Sequence, residues 1–229
     1  ENRTYNQVIP LTDRLNYCSA LMNNIAYAKA VESWLGIEIT ERAKFMRVIL
    51  SEFFRVQDHL VCIAANLVDM GGLTNYWYLY NEKEASYDFI SRLTGARLTS
   101  SFTRIGGMYR DFYEGWEGDM ENHIRGIEKG VSDSLKLVLK NRVVHDRTQN
   151  VCVMPADLAL SYGFTGPCLR ASGVPFDLRK DNPYYNYDAF DFSIPLGSKG
   201  DIYDRITIRY EEIFQSISII RQAMKMIPK

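Results

Sequence analysis

Apolar residues recur along this chain mostly at helical spacing. After Pro10, the positions Leu15, Cys18, Leu21, Met22 and Ile25 follow the i, i+3, i+4 rhythm of one buried face, and the spacing predicts a first helix ending at Gly36. Thr40 followed by Glu41 predicts the N-cap of a second helix that runs to Gly71-Gly72. Its final half is apolar all round, which places it at the centre of a bundle. A third helix, rich in Tyr and Trp, is expected from Thr74 to Thr94 and should stop at Gly95. A fourth, more polar helix is expected from near Gly118 to about Lys140, with Asp119 by its positive N-terminal end. Residues 150–200 hold most of the prolines and predict irregular chain with a short helix at Pro155–Tyr162. The last helix, Asp201 to Ile227, carries Ile213, Ile217 and Ile220 on one face. The expected fold is mainly α: a single helical domain over 1–229, a long-helix bundle with irregular segments at about 142–200.

Composition narrows the functional classes. The 229 residues are 46% hydrophobic and 24% charged, enough for one substantial core. A formal net charge of -1 argues against nucleic acid as a partner, because tracking phosphates needs a basic excess. No apolar run approaches the ~20 residues that span a bilayer, so membrane association would come through a partner. Leu60 to Val68, the longest uncharged apolar stretch, reads as a buried helix face. Cys18, Cys62, Cys152 and Cys168 form no C-x-x-C pair, and His59, His123 and His145 lack ligand spacing, so no metal site is expected within the chain. Thiols among apolar and small neighbours suit a reducing compartment.

Three places could carry chemistry. Residues 95–107, GARLTSSFTRIGG, put Arg97 and Arg104 on a short irregular segment that closes on Gly106-Gly107, suited to an anionic partner such as a phosphate, a carboxylate or an iron–sulfur cluster. Asp13 and Tyr17, four apart at the start of the first helix, should share a face. A tyrosine hydroxyl there can donate to a carbonyl that is becoming an oxyanion; a core tyrosine bonded to a helix aspartate is the ordinary alternative. Asp69 ends an apolar helix, facing the negative end of its dipole. Burial there would raise its pKa and suit it to handling protons, whereas a solvated carboxylate would be inert.

These stretches, with Asn66-Leu-Val-Asp-Met-Gly-Gly72, the run from Tyr162 to Gly173, Asp177-Leu-Arg-Lys180 and Gly200-Asp-Ile-Tyr-Asp-Arg205, resemble in order and spacing the D subunits of bacterial NADH:quinone oxidoreductase, respiratory complex I. The resemblance runs from Glu1 to Lys229. It implies a core like that of the nickel–iron hydrogenase large subunit. It further implies that the chain is the central part of a longer polypeptide, with an N-terminal hairpin and a C-terminal segment outside it. Tyr17 falls at the family's quinone-headgroup tyrosine, supported by Asp13. Asp69 falls at the aspartate paired with a histidine on that hairpin. Arg97 and Arg104 match arginines beside the terminal [4Fe–4S] cluster, which a small partner subunit ligates.

Thr99 stands where the family usually has a titrating histidine, which implies a cluster potential with little pH dependence, matched to a low-potential quinone such as menaquinone. Ile105 replaces a common proline. His59 is read as structural. So are the 177–180 and 203–205 runs, and Tyr76, Trp77, Tyr78 and Tyr80 are read as core and interface packing. The implied partners are the small iron–sulfur subunit, other peripheral-arm subunits, a membrane-arm subunit and quinone, at the cytoplasmic face of the bacterial inner membrane, with electron transfer coupled to proton translocation. Two alternatives stand beside this: the large subunit of an energy-converting nickel–iron hydrogenase, whose C-x-x-C pairs would lie near the two ends, and a structural scaffold. In isolation the chain is expected to be inactive.

Overall fold

A computed structural model describes residues 2–229. Its elements are, in order, α1 (Tyr5–Thr12), the 3-10 turn η1 (Tyr17–Ser19), α2 (Ala20–Leu35), α3 (Glu41–Asp69), α4 (Leu73–Thr94), β1 (Thr103–Arg104), β2 (Gly107–Met108), α5 (Trp116–Val138), α6 (Arg142–Thr148), α7 (Ala156–Ser161), α8 (Gly166–Ala171), α9 (Leu178–Asp181), the 3-10 turn η2 (Tyr187–Ala189) and α10 (Ile202–Met226). The mainly helical class expected from the periodicity is what the chain adopts.

Four long helices close a bundle: α3 packs on α4, α4 on α5, α5 on α10, and α10 back on α3, while α2 lies against the outside of α3. The seams follow the helical repeat. Met120, Ile124, Ile127 and Val131 of α5 face inward, as do Ile213, Ile217 and Ile220 of α10, with Phe53 of α3 set edge-on to Phe89 of α4 at 5.3 Å. Where α5 meets α4 the approach needs a glycine. A Cβ on Gly130 would lie 2.6 Å from Glu82 Cγ and 3.1 Å from the Tyr78 carbonyl oxygen. The helix ends expected at Gly36 and Gly95 are left-handed caps, with φ of 67° and 83°. Thr40 caps α3 by accepting from the Ala43 N–H at 3.3 Å.

Four expectations are corrected. The single first helix expected after Pro10 is interrupted: α1, which contains Pro10, stops at Thr12, and helical backbone resumes only at Tyr17; Leu15, counted in the apolar rhythm, is 76% exposed. Tertiary bonds hold that break: Asp13 turns inward to the 95–107 segment, and Asn16 donates to Asp58 on α3 at 3.0 Å. The most deeply buried part of α3 is Phe45–Leu60, not its final half, whose Ala65, Asn66 and Asp69 are exposed. The region 142–200 carries α6, α8, α9 and η2 besides the expected short helix, and 103–108 is a two-residue hairpin rather than irregular chain.

Candidate functional site

The final turns of α3 form an open wall. Arg55, Asp58, Cys62, Asn66 and Asp69 recur at three- and four-residue steps and fall on one stripe of the helix. On one side this stripe meets η1, through the Asn16–Asp58 bond. On the other, a cavity of about 290 Å³ opens between Cys62, Asn66 and Met70 and the facing Cys168, Arg205 and Arg209. The stripe opens only toward its C-terminal end, where Asn66 and Asp69 are exposed, whereas Arg55 is partly covered and the same helix a few turns earlier is enclosed by α2, α4 and α10.

Tyr17 opens η1 and is 59% exposed. The core-tyrosine alternative is therefore wrong, and so is the shared helix face with Asp13, which lies beyond a break in the helix and is fully buried. Asp13 instead accepts from the Ser101 N–H at 3.0 Å and from the Ser101 hydroxyl, tying the arginine-bearing segment to the entrance of η1. Ser101 needs that tie, since its φ of 43° is left-handed and costly for a residue with a Cβ. Asp69 is exposed rather than buried, and the negative helix end beside it is compensated by Arg147, whose Nη1 donates to the Met70 carbonyl at 3.2 Å. Asp58 and Asp69 are eleven residues apart on one stripe, which sets Asp69 roughly 16 Å along the helix from the η1 contact. Asp69 thus lies well along α3 from the turn that carries Tyr17.

The two arginines have different partners. Arg97 is exposed, paired with Glu84 and set over the Tyr87 ring at 5.2 Å. Arg104 folds back onto the carbonyls of Ser101 and Thr103, the latter at 2.9 Å, and its guanidinium covers the Tyr109 ring at 4.9 Å. Thr99 is half-buried between them in sequence.

What positions this segment lies beneath it. Arg47, fully buried on α3, pairs with both oxygens of Glu32 at 2.7 Å and donates to the Tyr185 hydroxyl at 2.8 Å, the Arg104 carbonyl at 3.0 Å and the Gly107 carbonyl at 2.9 Å. Glu32 Oε1 also accepts from the Gly106 N–H at 2.7 Å. One ion pair thus grips both strands of the hairpin and its turn.

A second buried cluster runs deeper. His59 Nε2 lies 2.8 Å from Glu212, whose other oxygen accepts from Arg170 at 2.7 Å. Arg170 approaches Asp177 at 3.8 Å, Asp177 is chelated by Arg179, and Arg179 reaches Glu52 at 3.0 Å. Glu52 takes a further bond from the Tyr187 hydroxyl at 2.6 Å. Burial alone would raise the carboxylates, but Arg55 and Arg179 hold Glu52 down at about 2, and His59 with Arg170 holds Glu212 at about 2. Burial pushes the His59 imidazole below its ordinary range, against the pull of Glu212. The structural roles expected of His59 and of the 177–180 run agree with this network.

Sequence patterning missed Glu32, Arg47, Glu52, Arg55, Arg170 and Glu212. The available signal was charge inside apolar helical runs, Arg47 in FMRVIL and Glu52 with Arg55 in SEFFRV, since a charge on a buried face demands a partner. In the aromatic group, Tyr76 stacks on Tyr80 at 4.0 Å, while Trp77 and Tyr78 remain exposed. Among the described residues no three His, Cys, Asp or Glu side chains gather to hold a metal ion, and no helix is long and apolar enough to cross a membrane.

Comparison with known proteins bears on the same residues. The family described as respiratory-chain NADH dehydrogenase, 49 Kd subunit, matches residues 69–229. The chain is 50% identical over 228 residues to the C/D subunit of NADH-quinone oxidoreductase from Bdellovibrio bacteriovorus, covering 100% of this chain and 41% of that protein. It is 46% identical over 228 residues to the D subunit of the Pelobacter propionicus enzyme, covering 100% of the chain and 57% of the relative. With the D subunit from Myxococcus xanthus it shares 48% over 231 residues, covering 100% and 55%. The chain spans about half the length of the curated relatives it matches.

Proposed function

Because the chain belongs to the family of 49 kDa subunits of respiratory-chain NADH dehydrogenase, we propose that it builds one wall of a quinone-reduction chamber in an NADH:quinone oxidoreductase. The observation that carries this is the open stripe of α3 with Tyr17 exposed at one end and Asp69 at the other. A phenol held by a 3-10 turn against a rigid helix can donate to a quinone carbonyl, and it is placed to stabilise charge on that oxygen as electrons arrive. Asp69, well separated, would act through a second donor supplied from outside the described residues, so proton delivery to the two carbonyls would follow two routes.

Arg97 and Arg104 are proposed to lie beside a [4Fe–4S] cluster ligated by a small partner subunit. The cluster would supply electrons one at a time, and cationic neighbours favour its reduced form. The chain's part is to hold those arginines through the Arg47–Glu32 grip. Other peripheral-arm subunits and a membrane-arm subunit would complete the assembly at the cytoplasmic face of a bacterial inner membrane, where reduction is coupled to proton translocation. The names of the relatives favour this over the nickel–iron hydrogenase alternative.

The test is Tyr17→Phe in the assembled enzyme. Quinone reduction is expected to collapse while an artificial acceptor drawing electrons upstream is still served. If both rates survive, Tyr17 does not bind the headgroup.

A further inference from the structure

Arg55 belongs to the α3 stripe but not to the chemistry just described. Only 18% of its side chain is exposed, and it spends Nε on Glu52 at 3.1 Å. Its Nη1 and Nη2 meet no hydrogen-bond acceptor among the described residues. Arg179 is fully committed, and Arg170 in two of its three nitrogens. Arg179 directs all three nitrogens to Asp177 and Glu52, and Arg170 gives Nε to Glu212 and Nη1 to the Phe176 carbonyl at 3.0 Å.

Arg55 lines a cavity of about 360 Å³ together with Arg170 and Arg179. Asp177 is the one carboxylate in that wall, and Arg179 already holds it at 2.6 Å. Phe176, Leu178 and Tyr184 supply an apolar side, and Thr165 an alcohol at the rim. The two idle N–H2 groups of Arg55 open on the cavity and present a planar fork whose spacing matches the two oxygens of a carboxylate.

We propose that this cavity is a receptor for a carboxylate with an apolar body, its two oxygens accepting from Nη1 and Nη2 of Arg55. The carboxylate could come from an acidic side chain of further polypeptide, since the relatives are about twice this length, or from a small free acid. The proposal does not rest on the quinone assignment.

The test uses the protein in the assembly from which it is isolated, with benzoate as probe and benzamide as its uncharged match. Experimental structures with and without benzoate show what lies at the Arg55 nitrogens, and titrations are repeated on Arg55→Gln and Arg55→Lys. Benzoate bound at Arg55 about ten-fold or more tighter than benzamide, with the preference lost in Arg55→Gln and reduced in Arg55→Lys, identifies a free-acid site. A protein carboxylate on Nη1 and Nη2, with benzoate excluded, identifies an acidic side chain as the occupant. Arg55→Lys keeps a cation beside Glu52, so a folding defect in Arg55→Gln alone does not obscure the result. Water alone at Nη1 and Nη2, with benzoate and benzamide indistinguishable, overturns the proposal.

Discussion

Arg47 and Glu32 face each other fork to fork, two nitrogens on two oxygens at 2.7 Å, with the guanidinium wholly out of solvent. The same two side chains hold the Arg104 and Gly107 carbonyls and the Gly106 N–H, so the ion pair joins α2 and α3 to the arginine-bearing hairpin. Arg47→Met would leave Glu32 buried without its partner, and the loss expected is about 3–5 kcal/mol in denaturant unfolding. Arg47→Lys should recover part of the stability but leave the hairpin loose. An ammonium has three N–H donors for the five acceptors Arg47 holds, two Glu32 oxygens, the Tyr185 hydroxyl and two carbonyls. Hydrogen exchange at Gly106, faster in both variants, is the local check.

The His59–Glu212 pair predicts an acid-sensitive fold. His59 is held below its ordinary 6.5, so the unfolded chain takes up that proton first and stability falls as pH drops through 6.5. Glu212 and Glu52, held at about 2, add stability present above their ordinary 4.5 and lost as pH falls from there toward 2. Unfolding midpoints should be flat above neutrality and decline in two stages. Burial also holds His123 down, so His59→Gln is expected to shrink the first stage and keep the second; an unchanged first stage would assign it to His123.

Two glycines of α5 should respond oppositely to alanine. At Gly130 the new Cβ meets Glu82 Cγ and the Tyr78 carbonyl, forcing α4 and α5 apart, and the expected cost is roughly 1–3 kcal/mol, exceeding the gain in helix propensity. At Gly118 nothing lies within 4 Å and the position is exposed, so Gly118→Ala should stabilise by up to about 1 kcal/mol. Thermal unfolding of the two variants decides both.

Thr99 cannot take a proton in the neutral range, so the potential of the proposed neighbouring cluster should vary little with pH. Thr99→His should introduce a slope approaching about 59 mV per pH unit around the histidine pKa. The check is a redox titration of the assembled enzyme at several pH values. A steep slope in the wild type would contradict the role given to Thr99.

The helical class, most long-helix boundaries and the caps at Gly36, Thr40 and Gly95 were legible along the chain, because each depends on residues within a few positions of one another. The stretch from Pro10 to Asn16 was not. Its apolar rhythm is helical, yet Asp13 bonds Ser101 and Asn16 bonds Asp58, partners 88 and 42 residues away. The inner charges followed the same rule. Arg47 and Glu52 were missed although they are ions in apolar runs, because their partners lie on α2 and α9 and around η2, where only the packed bundle brings them near.

From its sequence alone this protein is a mainly helical chain of the 49 kDa subunit family, with Tyr17, Asp69, Arg97 and Arg104 as its candidate chemistry. Folding decided which of those face an open wall, which buried ion pair holds the hairpin, and which guanidinium keeps idle donors among the described residues. The reason is range: helical periodicity and capping are local, whereas burial and the pairing of charges depend on distances between residues far apart in the chain.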